Sequence, residues 1–276
     1  MSNPLKLFSQ PEIKHSSLIV CWTGEASTLS TGVTDYLKKK LNGRCFGEIE
    51  PMTFFPLRGV AIENDLVIFP ESKFYAFPEN NLVLLQSTAP SHEWYQFMTL
   101  VLDFTEQYCH LKELYTIGGM VSLGAHTAPR ELMATFNSPE LKKELDHYNL
   151  AGGFNYQTPN GQRPTLNSYF LWLAAKRNIP GTNLMVLIPF YLVSSDDPGS
   201  QKRVLQFFNQ RLDLGIDFSE LNERIKSQNE KIARLRDTST EINELINKLE
   251  QNLRLSAEEH QQLLQEIDKY LREHKG

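Results

Sequence analysis

Three segments hold residue types that could do chemistry: Thr23-Gly24, Gly118-Gly119, and Gly124-Ala125-His126-Thr127-Ala128-Pro129-Arg130. Glycine backbone can approach an anion closely, while His126 could move a proton and Arg130 could supply a fixed positive charge. The first two segments follow apolar strand-like runs and the third comes just beyond the second; open α/β sheets place ligands at the carboxyl ends of their strands. Thr23, Gly24, Gly118, Gly119, His126 and Arg130 are therefore the candidate ligand-binding set, suited to a phosphate-bearing or nucleoside-like molecule. Their spacing matches neither G-x-G-x-x-G nor a P-loop, because no Lys-Ser/Thr pair follows the glycines. The structural assignment competes: the glycines only turn the chain, His126 is a hydrogen-bonded loop residue, and Arg130 pairs with a carboxylate. So loose a motif favours this second assignment.

The remaining candidates are weaker. Asp196-Asp197 precedes Pro198-Gly199 and reads as a turn start before it reads as a cation site. Ser194-Ser195 lacks the G-x-S-x-G elbow of a hydrolase nucleophile. Cys21, Cys45 and Cys109 form no zinc motif, and each sits in an apolar pattern that suits a buried reduced thiol. Trp94, Tyr95, Phe97 and Phe104 lie on an expected helix and fit a core or a subunit contact. The polar stretch 155–164 reads as a surface loop. No catalytic residue, metal ion or cofactor is expected.

Alternating strand and helix signals position these residues. Leu18-Ile19-Val20-Cys21-Trp22 is a continuous apolar run, the mark of a strand buried on both faces, and a helical stretch follows over 29–41. Short strands are expected over 44–50, 59–63, 66–69, 73–77 and 82–87, forming antiparallel hairpins. Helix returns over 91–108, a buried strand over 114–117 leads into Gly118-Gly119, and helices over 138–146, 167–177 and 201–211 frame a strong strand at 184–188. A mixed sheet covered by helices on both faces is the economical solution.

From Ile216 to Lys275 the chain contains neither glycine nor proline, whereas all 14 prolines lie before that point. Such a stretch must be almost entirely helical. Leu214, Phe218, Leu221, Ile225, Ile232, Leu235, Ile242, Ile246, Leu249 and Leu253 follow 4-3 spacing, a coiled-coil stripe running from 214 to 253. Ser256-Ala257-Glu258-Glu259 is a capping box that starts a return helix to about 274, which makes a helical hairpin. The expected domains are thus 1–215 and 216–276. The return helix reaches only the later part of the stripe. Leu221, Ile225 and Ile232 must pack either on the chain's own body or on another subunit.

Composition narrows the partners. Net charge is −5, and no basic cluster rises above the acidic background, which speaks against nucleic acid. No apolar run is long enough to span a membrane and the N-terminus lacks a signal-peptide pattern, so a cytoplasmic protein is expected.

The order of several segments resembles the proteasome assembly chaperone 2 (PAC2) family. They are the Leu18-Ile19-Val20 strand with Gly24, the strand ending Ile117-Gly118-Gly119, and the Pro129-Arg130 step before Ala134-Thr135. The turn from Leu150 to Gly153 follows, then Ala174-Ala175-Lys176-Arg177-Asn178-Ile179-Pro180 leading to Pro189-Phe190-Tyr191-Leu192. The resemblance implies a three-layer α/β/α mixed sheet, phosphorylase/hydrolase-like. It also implies a homo-oligomeric interaction or assembly-chaperone-like module without catalysis, with a trimer as the suggested assembly and an unknown client protein. The alternative is a small-molecule-binding enzyme, nucleoside phosphorylase- or hydrolase-like, using the Gly118–Arg130 loop. Two departures are visible. Archaeal relatives that dock on the proteasome end in a hydrophobic-tyrosine-any tripeptide, whereas this sequence ends His274-Lys275-Gly276. Asn178 stands where the family usually has glycine, a substitution that a left-handed helix end accommodates.

Overall fold

The continuous apolar run at the start of the chain becomes strand β2 (Ser16–Thr23), which is paired on both sides and almost wholly buried. The computed structural model describes residues 4–23, 28–50, 54–55, 60–63 and 65–274. They form a mixed α/β protein with an eight-stranded mixed sheet and eight α-helices among the described residues. Contacts divide the chain into two compact units. Unit 1 comprises Met1–Glu25, Thr34–Gly118 and Met133–Leu184; unit 2 comprises Ala26–Val33, Gly119–Leu132 and Met185–Gly276.

In unit 1, β2 runs parallel to β7 (Leu82–Thr88) and to β8 (Leu111–Ser122). Antiparallel pairings then lead outward from β7 through β6 (Ser72–Phe77) and β3 (Arg44–Ile49) to the short edge strand β1 (Leu5–Leu7). On the other side of β8 lie β10 (Gly181–Pro189) and β9 (Leu132–Phe136). Side chains alternate across a strand, so Leu18, Val20 and Trp22 share one face. They belong to one core cluster with Phe97, Met98, Val101 and Phe104 of helix α2 (Trp94–Cys109) and Phe170 of α4 (Leu166–Lys176). Asn178, after α4, has φ 58, the left-handed conformation that asparagine tolerates best after glycine.

A buried polar chain threads this apolar layer. Trp22 Nε1 donates to Asn167 Oδ1 at 2.7 Å, Asn167 Nδ2 donates to Asn183 Oδ1 at 3.1 Å, and Thr116 Oγ1 donates to the same Asn183 oxygen at 3.0 Å. Each group would cost stability if left unpaired, so the network fixes how α4 meets the sheet.

Within unit 1, a two-stranded ribbon lies between two buried anchors along the chain. Phe54 and Phe55 pack edge-on against Phe97, and Pro70 is buried on the far side. Between them β4 (Ala61–Glu63) and β5 (Leu66–Ile68), among the described residues, pair only with each other, as a two-stranded sheet.

Several expectations need correction. Gly118 and Gly119 do not turn the chain; they lie inside β8, which continues to Ser122. Glycine is a poor strand residue, but it is tolerated where backbone rather than side chain is needed. The C-terminal stretch is three helices rather than two: α6 (Ser219–Thr238), α7 (Thr240–Glu250) and α8 (Ala257–Glu273). Ser239 accepts from the Ile242 backbone at 3.3 Å, so its side chain caps α7 and interrupts the long helix in the Thr238-Ser239-Thr240 run. The capping box at Ser256 and Glu259 forms as expected.

The seam needs no second subunit for most of its length. In unit 2, α6 packs on α5 (Pro198–Leu212) and on α8, and Leu221 and Ile232 are both fully buried within the chain. Ile225 is half-buried. Leu221, Ile225 and Ile232 are the residues expected to make an interaction where a subunit contact covers the seam; the chain's own helices cover Leu221 and Ile232. Cys45 also departs from expectation, being exposed while Cys21 and Cys109 are buried.

Candidate functional site

The Gly124–Arg130 segment starts where β8 ends and is held by short-range bonds within unit 2. Ser122 Oγ accepts from the Gly124 backbone at 3.0 Å, and the Ala128 N–H donates to the Ala125 carbonyl at 3.1 Å, closing a tight turn. This turn carries His126 inward, where it is 8% exposed.

His126 is engaged through both backbone and ring. Its N–H donates to Tyr191 Oη at 2.6 Å, and its Nδ1 lies 2.9 Å from the same oxygen. The hydroxyl accepts the His126 N–H, and its contact with Nδ1 is a second hydrogen bond whose direction follows the ring tautomer. Burial, reinforced by the Arg130 charge, pushes the His126 pKa down to about 4. Burial likewise holds the Tyr191 phenol well above its usual range. A proton-shuttling histidine should titrate near neutrality; this one stays uncharged there.

Arg130 is spent on internal partners. Its Nε and one terminal nitrogen donate to the two carboxylate oxygens of Asp197 at 2.9 and 3.2 Å, and the other terminal nitrogen donates to the carbonyls of His126 and Ala128, both at 3.0 Å. The side chains are 10% and 4% exposed, so this is a bidentate, desolvated pair. Asp197 also starts α5: it accepts from the Gly199 backbone at 3.2 Å and from Ser200 Oγ. A Cβ on Gly199 would stand 3.2 Å from Asp197 Oδ1, so glycine leaves the room this carboxylate needs. At the rim, Thr127 Oγ1 donates to Glu250 Oε1 at 3.1 Å, and Glu250 pairs with Arg236 at 2.9 Å. The hydrogen bond from Arg236 holds the Glu250 carboxyl below its usual range.

Of the six candidate ligand residues, the structure brings His126 and Arg130 together in unit 2, as one hydrogen-bonded network. Thr23 ends β2 in unit 1, Gly118 and Gly119 lie within β8, and Gly24 falls outside the described residues. Asp196 and Asp197 take up Arg224 and Arg130 respectively. Ser194 and Ser195 line a groove of about 320 Å³ in unit 2, where Ser195 Oγ meets Asp268 at 3.4 Å, a long contact with a carboxylate rather than an activating base.

The most conspicuous surface lies away from the motif-bearing segments, on the β4–β5 ribbon. Ile62, Leu66, Val67, Ile68 and Phe69 on the β4–β5 ribbon are between 42% and 75% exposed, both faces included. The run Leu66-Val67-Ile68-Phe69 carries the signal, but a continuous apolar run reads as a buried strand, and nothing in it marks the strand as uncovered.

Other proteins resemble this chain in sequence or in fold. The chain is 24% identical over 193 residues to an uncharacterised protein, MJ1210, of Methanocaldococcus jannaschii, an overlap of 68% of this chain and 71% of that one. A protein of unknown function from Corynebacterium glutamicum superposes with a TM-score of 0.75 at 18% identity, covering 91% of this chain and 97% of that one. PbaB of Pyrococcus furiosus, an archaeal proteasome activator, gives 0.65 at 19% identity, covering 84% and 98%. No helix among the described residues is long and apolar enough to cross a membrane. The PAC2 family model matches residues 24–236, which is most of the chain, and the protein belongs to the PAC2 family.

Proposed function

We propose that this PAC2 protein is a self-associating protein-interaction module of the assembly-chaperone type, acting on a client protein in the cytoplasm and without catalysis of its own. The observation that carries the proposal is the exposed apolar ribbon over 62–69, because soluble monomers seldom leave so much contiguous apolar surface uncovered. Kinship with a proteasome activator agrees with it. So does the internal commitment of His126 and Arg130, the two residues on which the enzyme alternative depended.

Two measurements on the purified full chain test this. Light scattering over a concentration series is expected to give a mass above the 31.7 kDa of one chain. A thermal-shift titration with inorganic phosphate and with nucleosides is expected to leave the melting temperature unchanged. A monomer at every concentration, stabilised by one of those ligands, would reverse the conclusion in favour of a small-molecule site.

A further inference from the structure

The β4–β5 ribbon is built for pairing with a second copy of itself. A two-stranded hairpin standing alone is only marginally stable in water, and natural edge strands are usually blunted by charge or proline. This one has neither within β5: Leu66-Val67-Ile68 is uncharged, apolar and exposed, and its outer edge is unpaired among the described residues. The nearest described charge sits at the tip, at Asp65.

The register decides which backbone groups are free. Glu63 faces Leu66 across a two-residue connection, then Ile62 faces Val67 and Ala61 faces Ile68. In a two-residue hairpin the closing pair exchanges both hydrogen bonds and the next pair exchanges none. Val67 therefore turns its N–H and C=O away from β4, toward the open edge. Side chains of Leu66 and Ile68 lie on one face, and those of Val67 and Ile62 on the other.

From this geometry we infer that two copies of the chain associate about a twofold axis at Val67, β5 against β5 in antiparallel sense, forming a four-stranded β4–β5–β5–β4 sheet. Val67 of each copy donates to the Val67 carbonyl of the other. Leu66 of one copy stands opposite Ile68 of the other, so every facing pair is apolar. The antiparallel sense also sends the two acidic tips to opposite ends, whereas parallel pairing would set them side by side. Such a contact is isologous and self-complementary, as twofold interfaces must be. Ile62, Leu66, Val67, Ile68 and Phe69 are each at least 42% exposed, and pairing β5 with β5 covers part of that apolar surface. The inference rests on the self-association proposed above and assigns it to one strand.

The test uses the full chain. Val67→Pro removes the outward N–H, which makes no bond within the hairpin, and Val67→Lys adds a charge at the axis. Val67→Cys in a Cys45→Ser background places two thiols at a hydrogen-bonded antiparallel pair, with Cα atoms about 5.5 Å apart and within disulfide reach. Leu66→Cys in the same background sits two residues off the axis from its counterpart and serves as the control. The expected result is an even-numbered wild-type assembly whose copy number is halved by Val67→Pro and Val67→Lys while the chain stays folded, and a covalent dimer on mild oxidation of Val67→Cys but not of Leu66→Cys. Should either variant fail to fold, the cross-linking pair decides alone. An odd copy number, or an assembly that ignores both substitutions and leaves the Val67→Cys thiols unlinked, overturns the strand assignment while self-association stands. A wild-type monomer throughout the concentration series overturns both.

Discussion

Removing the guanidinium of Arg130 separates a structural role from a ligand-binding one. Arg130→Met leaves Asp197 buried at 4% exposure without its cation, while two donors remain, the Gly199 N–H and Ser200 Oγ. Breaking a buried pair by deleting one partner costs about 3–5 kcal/mol, and the two surviving donors put this case near the lower end. Asp197 is also the N-cap of α5, so the loss should concentrate at Pro198–Leu212. A local loss of about 3 kcal/mol corresponds to amide exchange faster by on the order of 100-fold. Hydrogen–deuterium exchange with peptide resolution reads this directly, and it suits a chain with two compact units better than a single unfolding midpoint would. Asp197→Asn on top of Arg130→Met should restore part of the protection, because the neutral amide keeps its acceptor oxygen and no longer needs a cation. If exchange in α5 changes by less than about threefold in Arg130→Met, the pair contributes little and the structural reasoning fails.

Other consequences can be read from the same structure. The His126 pKa of about 4 lies below its ordinary value of 6.5, so the unfolded chain takes up a proton that the folded chain refuses; this contribution is whole above pH 6.5 and is lost as pH falls toward 4. It amounts to at most about 3 kcal/mol, and His126→Gln should flatten that part of a stability-versus-pH curve measured by urea denaturation. Leu221→Ala and Ile232→Ala should each cost about 2–5 kcal/mol and lower the melting temperature without changing the solution mass, since both side chains are covered by their own chain; a changed mass with an unchanged melt would return the seam to a subunit contact. Asn167→Leu strands the Trp22 indole N–H and should cost about 1–3 kcal/mol by calorimetry, against well under 1 kcal/mol for a surface asparagine. A disulfide exchange reagent should titrate Cys45 in the native protein, slowed by the partial burial that raises its thiol pKa, and reach Cys21 and Cys109 only on unfolding, burial having pushed the Cys109 thiol up to about 12.

Local signals carried much of the fold. The apolar run at Leu18–Trp22 specifies a strand covered on both faces whatever its neighbours, and the Ser256–Glu259 capping box fixes a helix start within four residues. What depended on distant partners was harder to see. Strand β9 is mostly half-buried and lacks both a continuous apolar run and a clean alternation, so its pairing rather than its composition makes it a strand. Gly118-Gly119 looks like punctuation because glycine usually is; β8 runs through it because pairing partners, not side chains, sustain the extended backbone there. Ser239 occupies a stripe position between Leu235 and Ile242, yet only its bond to Ile242 shows that it ends one helix and starts another. In the candidate site, the structural assignment of His126 and Arg130 was available from sequence, but Tyr191 and Asp197 lie more than sixty residues away along the chain and no local spacing names them as the partners. The exposed ribbon shows the same limitation, since exposure is a property of the whole fold.

The measurement that bears most directly on the account is amide exchange at Leu66–Ile68 in the wild-type chain, compared between dilute and concentrated solution. The Val67 N–H faces outward in a single chain and should exchange freely when dilute, then become protected as the solution mass rises above that of one chain. Equal, unprotected exchange at every concentration, with the mass remaining at 31.7 kDa, would contradict it.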